Sequence, residues 1–151
     1  MHLRIVAVGK VRDPAVAAIC REFQKRLAAY HRLEIVEVRA SSGADPDKAI
    51  REEGERILRA AGKDSVWLLD RTGTELTSEA LSKKLVGLER EVRGLTLVIA
   101  GTFGASKAVN DRADFVWSLS KLTFLHEWAR MLVLEQLYRA AKIAHSEPYH
   151  H

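Results

Sequence analysis

LTLVIAGTFG, running from Leu95 to Gly104, sets a six-residue apolar and β-branched run directly before two glycines spaced three apart. A short apolar run closed by glycine predicts a strand buried on both faces, the kind a parallel sheet carries, here over Leu95–Ala100. The same pattern lies upstream. Leu3–Gly9 (LRIVAVG), Leu33–Val38 and Val66–Asp70 (VWLLD) predict three more strands. Helix signals separate them. Asp13-Pro14 and Asp45-Pro46 each put a capping carboxylate ahead of a proline in the first turn. After the first, Val16, Ile19, Cys20, Phe23, Leu27 and Tyr30 recur every three or four residues, the mark of an amphipathic helix. Ile50, Ile57, Leu58 and Ala61 follow the second, which stops at Gly62. Arg71-Thr72-Gly73 is expected as a turn. A third helix, opening after Thr77 or Ser78, is expected to turn Leu81, Leu85, Leu88 and Val92 inward and to end at Gly94. Strands and helices alternating through short links predict an α/β fold with a mainly parallel sheet flanked by helices, in one domain spanning residues 1–151.

Composition narrows the class without naming a function. The chain has 151 residues, enough for one domain that buries roughly two-thirds of its unfolded surface. No apolar run approaches the ~20 residues that cross a bilayer, and MHLRIVAVGKVRD alternates like a strand rather than a leader peptide. No membrane association is expected. Cys20 stands alone, which excludes an internal disulfide framework and fits a reducing cytoplasm. The net charge of +4, from 24 basic and 20 acidic side chains, is compatible with a nucleic-acid partner. It does not demand one, since from Gly101 onward six Lys/Arg face five Asp/Glu and no basic tail exists.

Ligands of open α/β sheets bind beyond the carboxyl ends of the strands. Three places qualify: Gly9-Lys10, Asp70–Gly73 and Gly101–Gly104, the last two following the most apolar strands. The Gly101-Thr102-Phe103-Gly104 pattern fits either a plain tight turn or a loop whose glycines let a ligand approach the backbone. It carries neither a dinucleotide fingerprint nor a phosphate-binding lysine. Ser118–His126 is expected to supply a fifth strand and its connection, with Ser118, Ser120 and Thr123 bonding local backbone. The alternative is a wall of exposed N–H and C=O groups for a flat heterocycle. The final helix, from about Glu127 to Ala144, shows one apolar face through Ala129, Leu132, Val133, Leu137 and Ala140. Met131, Leu134, Tyr138 and Ala141 make another, so burial on two sides is expected, the second against another copy of the chain. Glu135 and Arg139 form either an i,i+4 pair or a pair whose arginine contacts RNA. His126 is either a hydrogen-bonded structural histidine or a base. His145, His150, His151 and Glu147 match no zinc spacing, and no metal is expected.

LRIVAVGK (3–10), GERIL (54–58), VWLLD (66–70), WSLSKLTFLHEWARMLVLEQLYRAAKI (117–143) and EPYHH (147–151) follow one another along the chain. In that order they resemble the SPOUT-class ribosomal RNA large subunit methyltransferase H family, which methylates ring nitrogen 3 of a pseudouridine. The resemblance spans the whole length. It implies a deep C-terminal trefoil knot that binds S-adenosylmethionine between three loops. These fall at Leu69, at Gly101 to Gly104, and at Ser120, Lys121, Leu122, Thr123, Phe124 and Leu125. It further implies a cytoplasmic homodimer acting on 23S ribosomal RNA in the assembled ribosome, with Arg139, Tyr149 and His150 at the catalytic, RNA-facing end. The chain departs from the family pattern at Ala100, at Thr102-Phe103 and at Leu125. Three other readings stay open: a SPOUT enzyme acting on tRNA or another base, an inactive ribosome-binding relative, and a flavodoxin-like nucleotide module.

Overall fold

The structure is a computed structural model describing residues Met1–His151. Five strands, β1 (His2–Val8), β2 (Arg32–Val38), β3 (Ser65–Glu75), β4 (Gly94–Ile99) and β5 (Phe115–Ser118), pair in parallel in the order β2-β1-β4-β3-β5. Five helices connect them: α1 (Pro14–Leu27), α2 (Pro46–Ala61), α3 (Ser78–Glu89), α4 (Lys107–Arg112) and α5 (His126–Ala144). The capping chemistry does what its residues dictate. Asp13 accepts the Ala15 and Val16 N–H groups, and Asp45 those of Asp47 and Lys48. Each satisfies donors that the first turn leaves unpaired. Gly62 ends α2 with a φ of 59°, a conformation that a Cβ would disfavour.

The sheet is a middle layer. Leu3, Ile5 and Ala7 of β1 face α1, α3 and α5, while Val6 and Val8 face α2 and α4. All six residues of β4 are buried. Helices on both faces therefore account for the unbroken apolar run in LTLVIA.

Several elements differ from expectation, each for a local reason. Arg71-Thr72-Gly73 is no turn: β3 continues to Glu75, with a register shift between Leu69 and Thr74 where it pairs β5. Gly73 permits this, since a Cβ there would lie 2.5 Å from the Val116 carbonyl oxygen. Helix α3 stops at Glu89 with Arg90 as its cap, so Val92 lies in the link and Gly94 opens β4. Helix α4, capped by Ser106, was not anticipated; it buries one residue, Val109, too little to show a period. The fifth strand ends at Ser118 instead of beginning there. Ile19 points outward, 41% exposed, although Val16, Cys20 and Leu27 of the same helix are buried.

Helix α5 brings the largest revision. Both its apolar faces are covered by the same chain. Tyr138 packs against Phe23 at 5.9 Å and Tyr30 at 6.2 Å on the α1 side. On the α3 side, the buried Ser82 hydroxyl donates to Ala140 O at 2.8 Å. The two-sided pattern thus calls for α1 and α3, not for a second copy. The large apolar side chains left exposed are Ile19, Phe103, Leu122, Leu125 and, in the first turn of α5, Trp128. No helix is long and apolar enough to cross a membrane, and no group of three or more His, Cys, Asp or Glu side chains is placed to hold a metal ion.

Candidate functional site

A cavity of about 560 Å³ opens at the carboxyl ends of β3, β4 and β5. That volume falls within the ~300–1,000 Å³ typical of small-molecule sites. Of the three places marked by the strand-end rule, Asp70–Arg71 and Gly101–Gly104 meet here. Gly9-Lys10 does not contribute. Leu69, Gly101, Gly104, Ser120, Leu122, Thr123, Phe124 and Leu125 all line the cavity, together with Ile99, Trp117, Leu119, His126 and Ala129. Lys121 is the one cofactor candidate outside the lining; its side chain is exposed. Trp117 and Leu119 were missed because the fifth strand was expected too late in the chain.

The third wall is irregular backbone with its polar groups unspent. From Leu119 to Phe124, no N–H or C=O pairs with another backbone group. Local side chains use only two of them. Ser120 Oγ accepts the Leu122 N–H at 3.1 Å, and Ser120 O accepts the Ser118 hydroxyl at 2.9 Å. Leu119, Ser120 and Phe124 are half-buried and Lys121 to Thr123 exposed; a row of free donors and acceptors along an apolar cleft suits a flat heterocycle with ring nitrogens. The same Ser118 hydroxyl lies 3.2 Å from Arg71 O, which ties the wall to the opposite lip.

The glycine pair closes a tight turn. Gly104 N–H donates to Gly101 O at 3.0 Å, and Gly104 has a φ of +90°. Gly101 is small for a different reason from the one expected. A methyl group added there would overlap Glu53 Oε2, so the space left by the missing side chain is taken by the protein itself.

The first turn of α5 is fastened to the β1–α1 loop. His126 Nε2 bonds Val8 O at 2.8 Å, Arg130 Nη2 donates to Gly9 O at 3.0 Å, and Glu127 Oε1 accepts the Arg12 N–H. His126 is thereby a structural histidine at the edge of the cavity. Arg130 is buried and also pairs with Glu37 at 3.1 Å. Sequence reading passed over it, because an arginine among apolar helix residues carries no signal of its fold partners.

Arg139, Tyr149 and His150 do come together, but away from the cavity. Arg139 Nε and Nη2 donate to Glu135 Oε1 at 3.0 and 2.6 Å, and its guanidinium lies 4.7 Å from the Tyr149 ring centre. Tyr149 OH donates to the same carboxylate oxygen at 3.0 Å. Burial, then this hydrogen bond, raises the phenol pKa. His150 Nδ1 lies 3.3 Å from Arg139 Nη1, and its Nε2 is 2.8 Å from Glu79 Oε1. Arginine only donates, so Nδ1 accepts and Nε2–H donates to Glu79. The cluster sits nine to thirteen residues along α5 from His126, roughly 14–20 Å at 1.5 Å per residue.

Comparison with known proteins gives consistent matches. A family model described as Predicted SPOUT methyltransferase matches residues 1–150. A Ribosomal RNA large subunit methyltransferase H from Gloeobacter violaceus is 44% identical, over 100% of this chain and 99% of its own. Proteins of the same name from Halothermothrix orenii and Methylobacillus flagellatus are 40% and 38% identical, each over 99% of both chains. Among solved structures, the tRNA (m1G37) methyltransferase from Aquifex aeolicus superposes with a TM-score of 0.53. It covers 100% of this chain and 75% of its own at 17% identity, a likeness of fold alone.

Proposed function

The chain belongs to the ribosomal RNA large subunit methyltransferase H family of SPOUT methyltransferases, and from that premise we propose that it methylates ring nitrogen 3 of a pseudouridine in 23S ribosomal RNA, in the assembled ribosome, using S-adenosylmethionine. The observation that carries this reading is the cavity at the strand ends, walled by apolar side chains and by unpaired backbone from Leu119 to Phe124. Such a wall fits an adenine ring. Leu69, Gly101, Gly104, Ser120, Leu122, Thr123, Phe124 and Leu125 are assigned to holding the donor, with Lys121 at the outer rim. We assign the same segments to a C-terminal trefoil knot, on family grounds, in one domain over residues 1–151. The flavodoxin-like alternative falls with the family match.

When bound, S-adenosylmethionine supplies a methyl group already activated by its sulfonium. The protein's work is to orient two reactants, keep water out and manage one proton. Leu69, Ile99 and Trp117 form the dry side of the cleft. Ring nitrogen 3 carries a proton that must leave, and His150 is the group assigned to take it. Its acceptor nitrogen is covered by Arg139 in the resting arrangement. Arg139 therefore turns to an RNA phosphate or a uracil oxygen as substrate docks, which uncovers Nδ1. Tyr149 positions the base.

The distance between the tail cluster and the cavity of one chain supports the reading that a second copy completes the site. We place the tail of one protomer against the cavity of the other, in a homodimer whose contact includes the exposed Leu122 and Leu125 of the cavity lining and the exposed Phe103 and Trp128, each next to a lining residue in the chain. Acting on ribosomes puts the dimer in the cytoplasm. Calorimetric titration with S-adenosylmethionine, alone and with ribosomes present, tests the cavity. Saturable binding supports it; a folded dimer that binds the donor under neither condition overturns the enzyme reading in favour of an inactive ribosome-binding relative.

A further inference from the structure

Glu53, on the face of α2 that meets the glycine turn, is 7% exposed and forms no ion pair with Lys, Arg or His. Its one hydrogen bond is accepted by Oε1 from the Ser41 N–H, at 3.1 Å. Oε2 is aimed at Gly101, into the space a side chain would fill. A Cβ there would lie 3.2 Å from the Glu53 carboxyl carbon and closer still to that oxygen. Positive charge nearby is already engaged: Arg56 bonds Arg39 O and Ser41 Oγ and pairs with Glu52. A largely buried carboxylate with no ion pair is stabilised by any positive charge brought near it. The chain does not supply that charge. Gly101 itself lines the cavity, so a cation held there faces Glu53 across a single glycine.

We propose that Glu53 is a positioning residue that makes the cavity select for positive charge, favouring a sulfonium ligand over its neutral thioether counterpart. The inference rests on S-adenosylmethionine being the ligand of this cavity. Methyl transfer changes the ligand's charge. The carbon–sulfur bond breaks with its electron pair left on sulfur, the methyl group bonds to the ring nitrogen, and the ring proton passes to the base. What remains, S-adenosylhomocysteine, has lost the sulfonium charge. Glu53 acts on that difference through the field it sets behind Gly101, and so assists both loading of the donor and release of the product. Gly101 is required because only glycine leaves the carboxylate this position.

The test is calorimetric affinity of the folded dimer for S-adenosylmethionine and for S-adenosylhomocysteine, before and after Glu53→Gln. Glutamine keeps the shape and the acceptor for Ser41 while removing the charge. Affinity for the sulfonium ligand is expected to fall about tenfold, the order expected for losing one unit charge near the site at intermediate dielectric. Affinity for the thioether should change by less than about twofold, and Glu52→Gln, one residue away, should leave both unchanged. An equal loss for both ligands, or no loss for either, overturns the proposal. If Glu53→Gln fails to fold, Glu53→Asp keeps the charge. It should keep the preference for the sulfonium, and losing that preference would equally overturn the idea. Failure of the unmodified protein to bind either ligand would instead overturn the assignment of the cavity.

Discussion

Two hydrogen bonds at His150 decide what its ring can do. With Nε2–H donating to Glu79 and Nδ1 accepting from Arg139, the ring's basic lone pair is occupied. Replacing it with alanine should leave donor affinity unchanged and slow single-turnover methylation by ~10²–10⁴-fold, the usual worth of a general base. An unchanged rate would remove His150 from the mechanism. His31 makes a separate prediction about stability. Its ring is mostly buried, Nδ1 makes no hydrogen bond, and burial, ahead of the nearby terminal amine, lowers its pKa from the ordinary 6.5. A histidine with a depressed folded pKa binds fewer protons folded than unfolded, so its stabilising contribution is full above pH ~6.5 and is lost as pH falls below that value. Thermal unfolding should therefore drop between pH 7 and 5, and His31→Gln should flatten that slope. An identical slope in the variant would point to other groups. Gly101 illustrates what sequence conceals at this scale: the glycine is legible, whereas the Glu53 carboxylate that requires it lies 48 positions earlier on another element.

At the scale of elements, the tail is aimed by the way α5 ends. Ser146 has a φ of 54°, the Ser146 N–H donates to Ile143 O at 3.1 Å, and the Glu147 N–H donates to Lys142 O at 2.9 Å. This is a Schellman turn with serine where glycine is usual. It doubles the chain back so that Tyr149 packs edge-on against Tyr138 at 4.8 Å. Ser146→Val, β-branched at a left-handed position, should cost ~1–2 kcal/mol locally and misaim the tail. Methylation is expected to fall tenfold or more while donor affinity holds; loss of donor binding instead would mean that the tail braces the cavity. The elements themselves were largely readable. Capped helices and apolar strands announce themselves through local chemistry, as Asp13-Pro14 and LTLVIA do. What was not readable depends on contacts distant in sequence. The Arg71–Gly73 segment stays extended because β5 lies against Gly73, and α4 is too short to show a period. The cavity wall from Leu119 to Phe124 was legible only as a run too hydroxyl-rich for a helix, with its free backbone visible once β3 and β5 were in place.

For the whole molecule, apolar periodicity in α5 pointed to a partner for a reason the fold does not support, since α1 and α3 cover both faces. The exposed apolar residues in and beside the cavity lining carry the dimer proposal instead, and they come from the glycine turn, the Leu119–Leu125 segment and the start of α5, with no common period. Leu125→Asp with Trp128→Asp should yield a folded monomer by sedimentation, with methylation lost because tail and cavity no longer meet. A double variant that stays dimeric would place the interface elsewhere. The most direct test of the central claim is to incubate the protein with methyl-labelled S-adenosylmethionine and ribosomes lacking the modification, then map the label by nuclease digestion and mass spectrometry. The account predicts label on a single pseudouridine of 23S ribosomal RNA, at ring nitrogen 3, and none on free tRNA. Label on tRNA, on another base, or on nothing despite donor binding would contradict it.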